Sequence, residues 1–185
     1  MDSKRLSGVV NRMLRGIVLL PVVLLTFLVV LALSPFLLVY GVGRWLRGEW
    51  LVRRFRAEFA RKGQYAILVY SESPSWQTYF EQHVIAPAGA RAVVLNWSER
   101  RAWKEARSLP ARVFLHFRPA TDFNPYAIVF LPAGRPREVE FYRAFRDHKH
   151  GKERRLAQSL KELSAHLREA DEAWAGKARV RSSAP

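Results

Sequence analysis

The chain has 185 residues, with 31 Lys and Arg against 16 Asp and Glu, a formal charge of +15, and no cysteine. The missing thiols exclude disulfides, thiolate nucleophiles, CxxC redox chemistry and Cys-ligated zinc. The basic excess points to phosphate-rich partners, anionic lipid surfaces ahead of nucleic acid.

Residues 1–16 form a basic N-terminal tail with Lys4, Arg5, Arg12 and Arg15. From Gly16 to Gly43 there is no charged residue over 28 positions. As a helix this stretch spans roughly 42 Å at ~1.5 Å per residue, longer than the ~30 Å hydrocarbon core of a bilayer. Residues 17–42 hold 19 Leu, Ile, Val or Phe. At about −0.3 to −0.6 kcal/mol each, roughly −6 to −11 kcal/mol favours insertion, as an upper bound. The apolar character goes all round, which excludes an ordinary amphipathic core helix. The run is also too long for a cleaved leader. Residues 17–43 are therefore expected to be a transmembrane segment. Pro21 lies near the first turn, where a missing N–H matters little. Pro35 is interior and should kink the helix. The favoured shape is a kinked, tilted single span. The alternative is a re-entrant hairpin, whose short arms would leave turn carbonyls in lipid. Seven basic residues follow the span by Lys62 and four precede it. The richer flank favours a cytoplasmic C-terminal domain.

Residues 44–63, RWLRGEWLVRRFRAEFARKG, read as a basic amphipathic juxtamembrane helix ending at Gly63. Leu51, Val52, Phe55 and Phe59 share one face. Trp45, Arg47, Trp50, Arg53, Arg54 and Arg61 are the expected lipid-surface residues. The competing reading is a helix that continues the span and packs on the soluble domain.

Residues 64–150 read as one small α/β domain. YAILVY (65–70) is a central strand, SWQTYFEQHVIA (75–86) a helix, and RAVVLNW (91–97) a second strand. SERRAWKEARS (98–108) is a polar helix. ARVFLHF (111–117) is a third strand and YAIVFLP (126–132) a fourth. Their link is too short for a helical crossover, so these two should pair antiparallel. VEFYRAFRDH (139–148) opens a helical region. The order is β-α-β-α-β-β-α.

That order resembles the thioredoxin/glutaredoxin fold over roughly residues 64–150. Tyr70-Ser71-Glu72-Ser73-Pro74-Ser75-Trp76 is similar to the strand-to-helix turn where the family carries its two cysteines. Ser73 and Trp76 stand at the cysteine positions, so the redox activity does not carry over. Leu109-Pro110 is similar to the family's cis-proline position. A flavodoxin-like fold starts with a comparable strand, serine-bearing turn and Trp-containing helix, and stays open; the short β-β link argues against its all-parallel sheet.

Ser73 followed by Pro74 is helix-start chemistry, Ser as N-cap and Pro at N1. Ser98 is expected to cap the next helix in the same way. Parallel first and second strands would end side by side, at the edge where open α/β sheets bind ligands. Ser71, Glu72, Ser73, Asn96, Ser98 and Glu99 would converge there as a candidate ligand lip. Helix N-termini attract anions, while Glu72 and Glu99 repel them. A neutral or cationic polar ligand, or a peptide segment, fits better than a phosphate. No catalytic set is legible.

Asp147, His148 and His150 in RDHKHGK invite a metal reading, which Lys149 and Lys152 oppose by charge. Arg146, Lys149, Lys152, Arg154 and Arg155 are candidate anion contacts. No metal and no cofactor is expected. Residues 151–175 carry Leu156, Leu160, Leu163, Leu167, Ala170 and Trp174 in heptad spacing. That seam packs either on the domain's own sheet or on a second copy or partner helix. Residues 176–185 read as a disordered tail.

The expectation is a single-pass membrane-anchored, non-enzymatic binding or assembly module. Its partners are the lipid bilayer with its anionic surface and a protein or second copy through the C-terminal helix. The alternatives are a membrane-bound enzyme using the lip and a peripheral nucleic-acid binder.

Overall fold

The computed structural model describes the backbone of residues 3–182 and the side chains of residues 22–180. The chain divides into two units, residues 1–47 and 48–185. One helix, α1 (Ser3–Glu58), supplies the described part of the first unit and enters the second. It runs through Pro21 and Pro35 without interruption, so the re-entrant hairpin is not formed. From Val22 on it is long and apolar enough to cross a membrane, with a mean hydropathy of 2.9 in a window that buries nothing against protein. The polar groups inside this stretch are turned onto its own backbone. Thr26 Oγ1 donates to the Val22 carbonyl at 2.7 Å. Ser34 Oγ donates to the Leu31 carbonyl at 2.8 Å. Pro35 lacks the N–H that would otherwise serve that same carbonyl, so the serine repairs the gap its neighbour makes.

In the second unit α1 is amphipathic. Leu51, Val52 and Phe55 are buried and Phe59 is half-buried, stacked on Phe55 at 5.1 Å. The apolar face expected to lie on lipid is thus part of the domain core, as the competing reading had it. Its periodicity was sound, but a sheet rather than a bilayer takes it up. At Gly48 the helix meets His116, whose Nε2 would lie 2.6 Å from an added Cβ. A 3₁₀ turn (Ala60–Lys62) follows, and Gly63 closes it at φ +87°, a left-handed conformation that suits glycine.

The domain then runs β1 (Ala66–Tyr70), α2 (Gln77–Phe80), a wide π-type turn (Glu81–Ile85) and α3 (Ala86–Ala88). A 3₁₀ turn (Gly89–Arg91) leads to β2 (Ala92–Asn96), and another (Trp97–Glu99) to α4 (Arg100–Glu105). Next come α5 (Leu109–Phe117), β3 (Tyr126–Val129), β4 (Arg137–Glu140), α6 (Tyr142–Lys149) and α7 (Arg154–Ser182). The sheet order is β2-β1-β3-β4. β1 pairs parallel with β2 and antiparallel with β3, and β3 pairs antiparallel with β4.

Two expected elements change type. Residues 111–117 are helical, not a strand. Leu109 and Val113, and Pro110 and Phe114, are buried at i, i+4 spacing, and Pro110 suits the first turn. The fourth strand is instead Arg137–Glu140, partly inside the region read as helical, and only Val139 of its four residues is buried. The observed order after α1 is therefore β-α-α-β-α-α-β-β-α-α, still with four strands. The expected cis-proline position also moves. Pro110 starts α5, while the Asn124–Pro125 bond is cis, directly ahead of β3.

Both sheet faces are covered, which is why β1 and β3 read as unbroken apolar runs. Ala66 and Leu68 of β1 face one core with Phe80, Phe145 and the α7 leucines. Ile67 and Val69 face the other with Phe55, Trp103 and Phe114. The heptad seam belongs to the first core: Leu156, Leu163, Leu167 and Ala170 are buried, with Leu160 and Trp174 packed beside them. Self-association through α7 would have to use its polar face. α7 also continues through Ser182, so residues 176–182 are helix rather than a disordered tail; Ala, Lys and Arg there are strong helix formers. Residues 183–185 of the expected tail, and residues 1 and 2 of the N-terminal one, lie outside the described residues.

Candidate functional site

β1 and β2 end in register at Tyr70 and Asn96, so the chains leaving them emerge side by side. Asn96 ties the two exits together. Its Nδ2 donates to Glu72 Oε1 at 2.8 Å, and its Oδ1 accepts the Ser98 N–H at 3.0 Å. The Glu72 N–H donates to Ser98 Oγ at 3.2 Å, closing the ring of contacts. Trp103 Nε1 holds the Asn96 carbonyl from below at 2.8 Å. Asn96, not Ser98, therefore caps the turn into α4. A short amide side chain reaches the N–H two residues on, and this leaves the serine hydroxyl for Glu72.

Ser73 is not the N-cap expected of it, nor Pro74 the first helical residue: α2 starts at Gln77, with Trp76 at its N-cap and no side-chain cap. The Ser73 carbonyl accepts the Trp76 and Gln77 N–H groups at 3.1 and 2.9 Å, which begins the helical bonding. Ser73 Oγ lies 3.4 Å from the Ser75 N–H, a weak contact inside the turn that precedes α2. The Ser71 carbonyl accepts the Ser73 N–H at 2.7 Å. Glu99 is exposed on the same rim. Sequence reading missed Tyr70 and Glu81. The Tyr70 hydroxyl is held above its usual pKa by burial first, then by a hydrogen bond to Glu81 and by the fields of Glu81, Glu72 and Glu99. Gln77 Nε2 donates to Glu81 Oε1 at 3.2 Å and orients it toward the rim.

The lip is thus an acceptor-rich rim of three carboxylates and one phenol on a chain of formal charge +15. Such a rim attracts cations and hydrogen-bond donors. Beside it lies a shallow depression of about 410 Å³ lined by Ser98, Glu99, Arg100, Arg101 and Ala102. The Ser73 and Ser98 hydroxyls each face a backbone N–H, which is a structural arrangement.

The other expected residues lie elsewhere. Asp147 pairs with Arg155 at 2.8 Å, so the carboxylate a metal would need is engaged by a guanidinium. Arg146, Lys149, Lys152, Arg154 and Arg155 are all exposed. Trp45 and Arg47 are exposed in the first unit. Trp50 is also exposed, but Arg54 and Arg112 stand over its ring at 5.4 and 5.3 Å. Arg53 and Arg61 are exposed and border a cleft of about 680 Å³ that also takes in Arg56, Trp174 and Lys177. Nothing in the sequence joined those last three, because they meet only after folding; Trp174 was read there only as part of the heptad seam.

No protein-family model, no curated protein and no solved structure matches this chain.

Proposed function

We propose that this protein is a membrane-anchored, non-enzymatic binding or assembly module. α1 crosses the bilayer once and the α/β domain lies in the cytoplasm. The observation that carries the reading is the unpartnered apolar stretch of α1. From Val22 to Leu46 its large apolar side chains are 47–73 % exposed, an arrangement that water disfavours and lipid does not. The domain is read as thioredoxin-like without the redox cysteines. The strand order β2-β1-β3-β4, with β3 alone running against the rest, supports that reading. The cis proline ahead of β3 agrees with it. The binding edge is the Glu72–Asn96–Ser98 lip, and its carboxylates favour a cationic or donor-rich polar segment of a partner protein.

Affinity capture from detergent-solubilised membranes tests the lip, using wild type and a Glu72→Gln/Glu99→Gln variant of equal thermal stability. The wild type should retain a partner that the variant loses. An identical set of retained proteins would remove the lip from the account.

A further inference from the structure

The cleft at the end of α1 combines basic and apolar side chains. Arg53, Arg56, Arg61 and Lys177 line it, and no carboxylate does. Ala57, Ala60, Pro132, Trp174 and Ala178 add an apolar wall. Four cations gathered around one space of about 680 Å³ repel each other. Two carboxylates of the flanking helices are engaged with other partners: Glu58 with Arg54 at 3.6 Å, and Asp171 with Arg91 at 2.9 Å and with the Tyr65 hydroxyl.

Arg56 is the informative member. Its Nη2 donates to the Gly134 carbonyl at 2.6 Å. Its Nε is shielded from solvent and has no partner. Burial disfavours its charged form and lowers its pKa, with Glu49 opposing. A half-buried guanidinium with an idle donor is costly unless something supplies the acceptor. Lys177 is steadied over the Trp174 ring at 5.5 Å, and Trp174 is itself fixed by its Nε1–H to the Phe130 carbonyl at 2.9 Å. The wall is therefore rigid where the ligand would meet it.

We propose that this cleft binds a phosphate group, presented by an anionic lipid headgroup or as free inorganic phosphate. Arg56 and Arg53 contact the phosphate oxygens, and Arg61 and Lys177 complete the positive field. Trp174 and the alanines accommodate apolar substance beside the phosphate, which favours the lipid source. The inference does not depend on α1 crossing a bilayer, and it concerns a different surface from the lip.

The test uses the full chain in non-ionic detergent, titrated calorimetrically with dioctanoyl phosphatidic acid, inorganic phosphate, or dioctanoyl phosphatidylcholine as control. Saturable binding of phosphatidic acid alone supports a lipid source, and equal binding of inorganic phosphate supports a free one. In either case an Arg56→Gln/Lys177→Gln variant should bind about 30-fold more weakly, having lost one charge-assisted contact and one charge of the surrounding field. Lys177→Gln alone, at an exposed helix position, should give about a fivefold loss and guards against misfolding of the double variant. A Lys161→Gln/Arg168→Gln variant removes the same charge elsewhere, at exposed positions of α7, and should leave affinity unchanged. Absence of saturable binding by either phosphate probe would overturn the proposal. So would equal weakening by the Lys161/Arg168 variant, or equal binding of phosphatidylcholine.

Discussion

The two stretches of α1 make an instructive contrast. Both are apolar and lie on one helix, yet Phe36 is 73 % exposed and Phe55 is fully buried. The difference is one of period. Around Phe36 apolar side chains point in every direction and no protein face can cover them. Around Phe55 they recur on one side, with arginines on the other, and the sheet covers that side. The spacing separates the part that no protein face can cover, long and apolar enough to cross a membrane, from the part built for a core.

The largest effect that sharpens this contrast is expected at Phe55. It stacks on Phe59 and lies 4.4 Å from Phe130 between ring centroids. Phe55→Ala should lower domain stability by about 3–5 kcal/mol in denaturant unfolding, a large share of a typical ~5–15 kcal/mol. Phe36→Ala should change it by less than about 0.5 kcal/mol. Equal effects at the two sites would erase the distinction between the stretches.

An intermediate effect separates the domain from the apolar stretch by pH. Tyr65 is held above its usual pKa by burial and then by Asp171, and Tyr126 by burial and then by Glu138. The folded state thus keeps these phenols protonated where the unfolded chain has begun to lose the proton. Their contribution is complete below the unfolded pKa near 10 and declines as pH rises above it. Unfolding midpoints should fall above pH ~10 in wild type, and fall less steeply in a Tyr65→Phe/Tyr126→Phe variant. Parallel pH profiles would contradict the assignment.

The smallest effect lies inside the apolar stretch. Ser34→Ala removes the donor to the Leu31 carbonyl, at an expected ~0.6 kcal/mol in a membrane setting. In a Pro35→Ala background the backbone N–H returns and the same substitution should cost almost nothing. A double-mutant cycle on thermal unfolding in detergent reads the coupling. Additive effects would show that the serine does not substitute for the missing backbone donor.

What was legible in the sequence follows the strength of each local signal. β1 and β2 were plain because each is a short, Val-bearing apolar run bounded by turn residues, and Gly63 marked the stop it makes. ARVFLHF was misread because a short apolar run fits a strand and a buried helix equally. The i, i+4 pairs that decide it begin at Leu109, ahead of the run. β4 was missed because an edge strand with one inward residue, Val139, has almost no pattern to show. The lip was visible because it sits where two recognised strands end. Its Asn96 cap was not, since serine and asparagine compete for that role only in three dimensions. The phosphate cleft was hidden because Arg56 and Lys177 stand far apart in the chain and come together only through α7.

The account depends most on α1 holding the protein in a bilayer. Alkaline carbonate extraction of membranes from cells expressing the full chain tests this directly. The chain should stay in the pellet and leave it only with detergent. Release into the carbonate supernatant, with the domain still folded, would contradict the anchor and the function built on it.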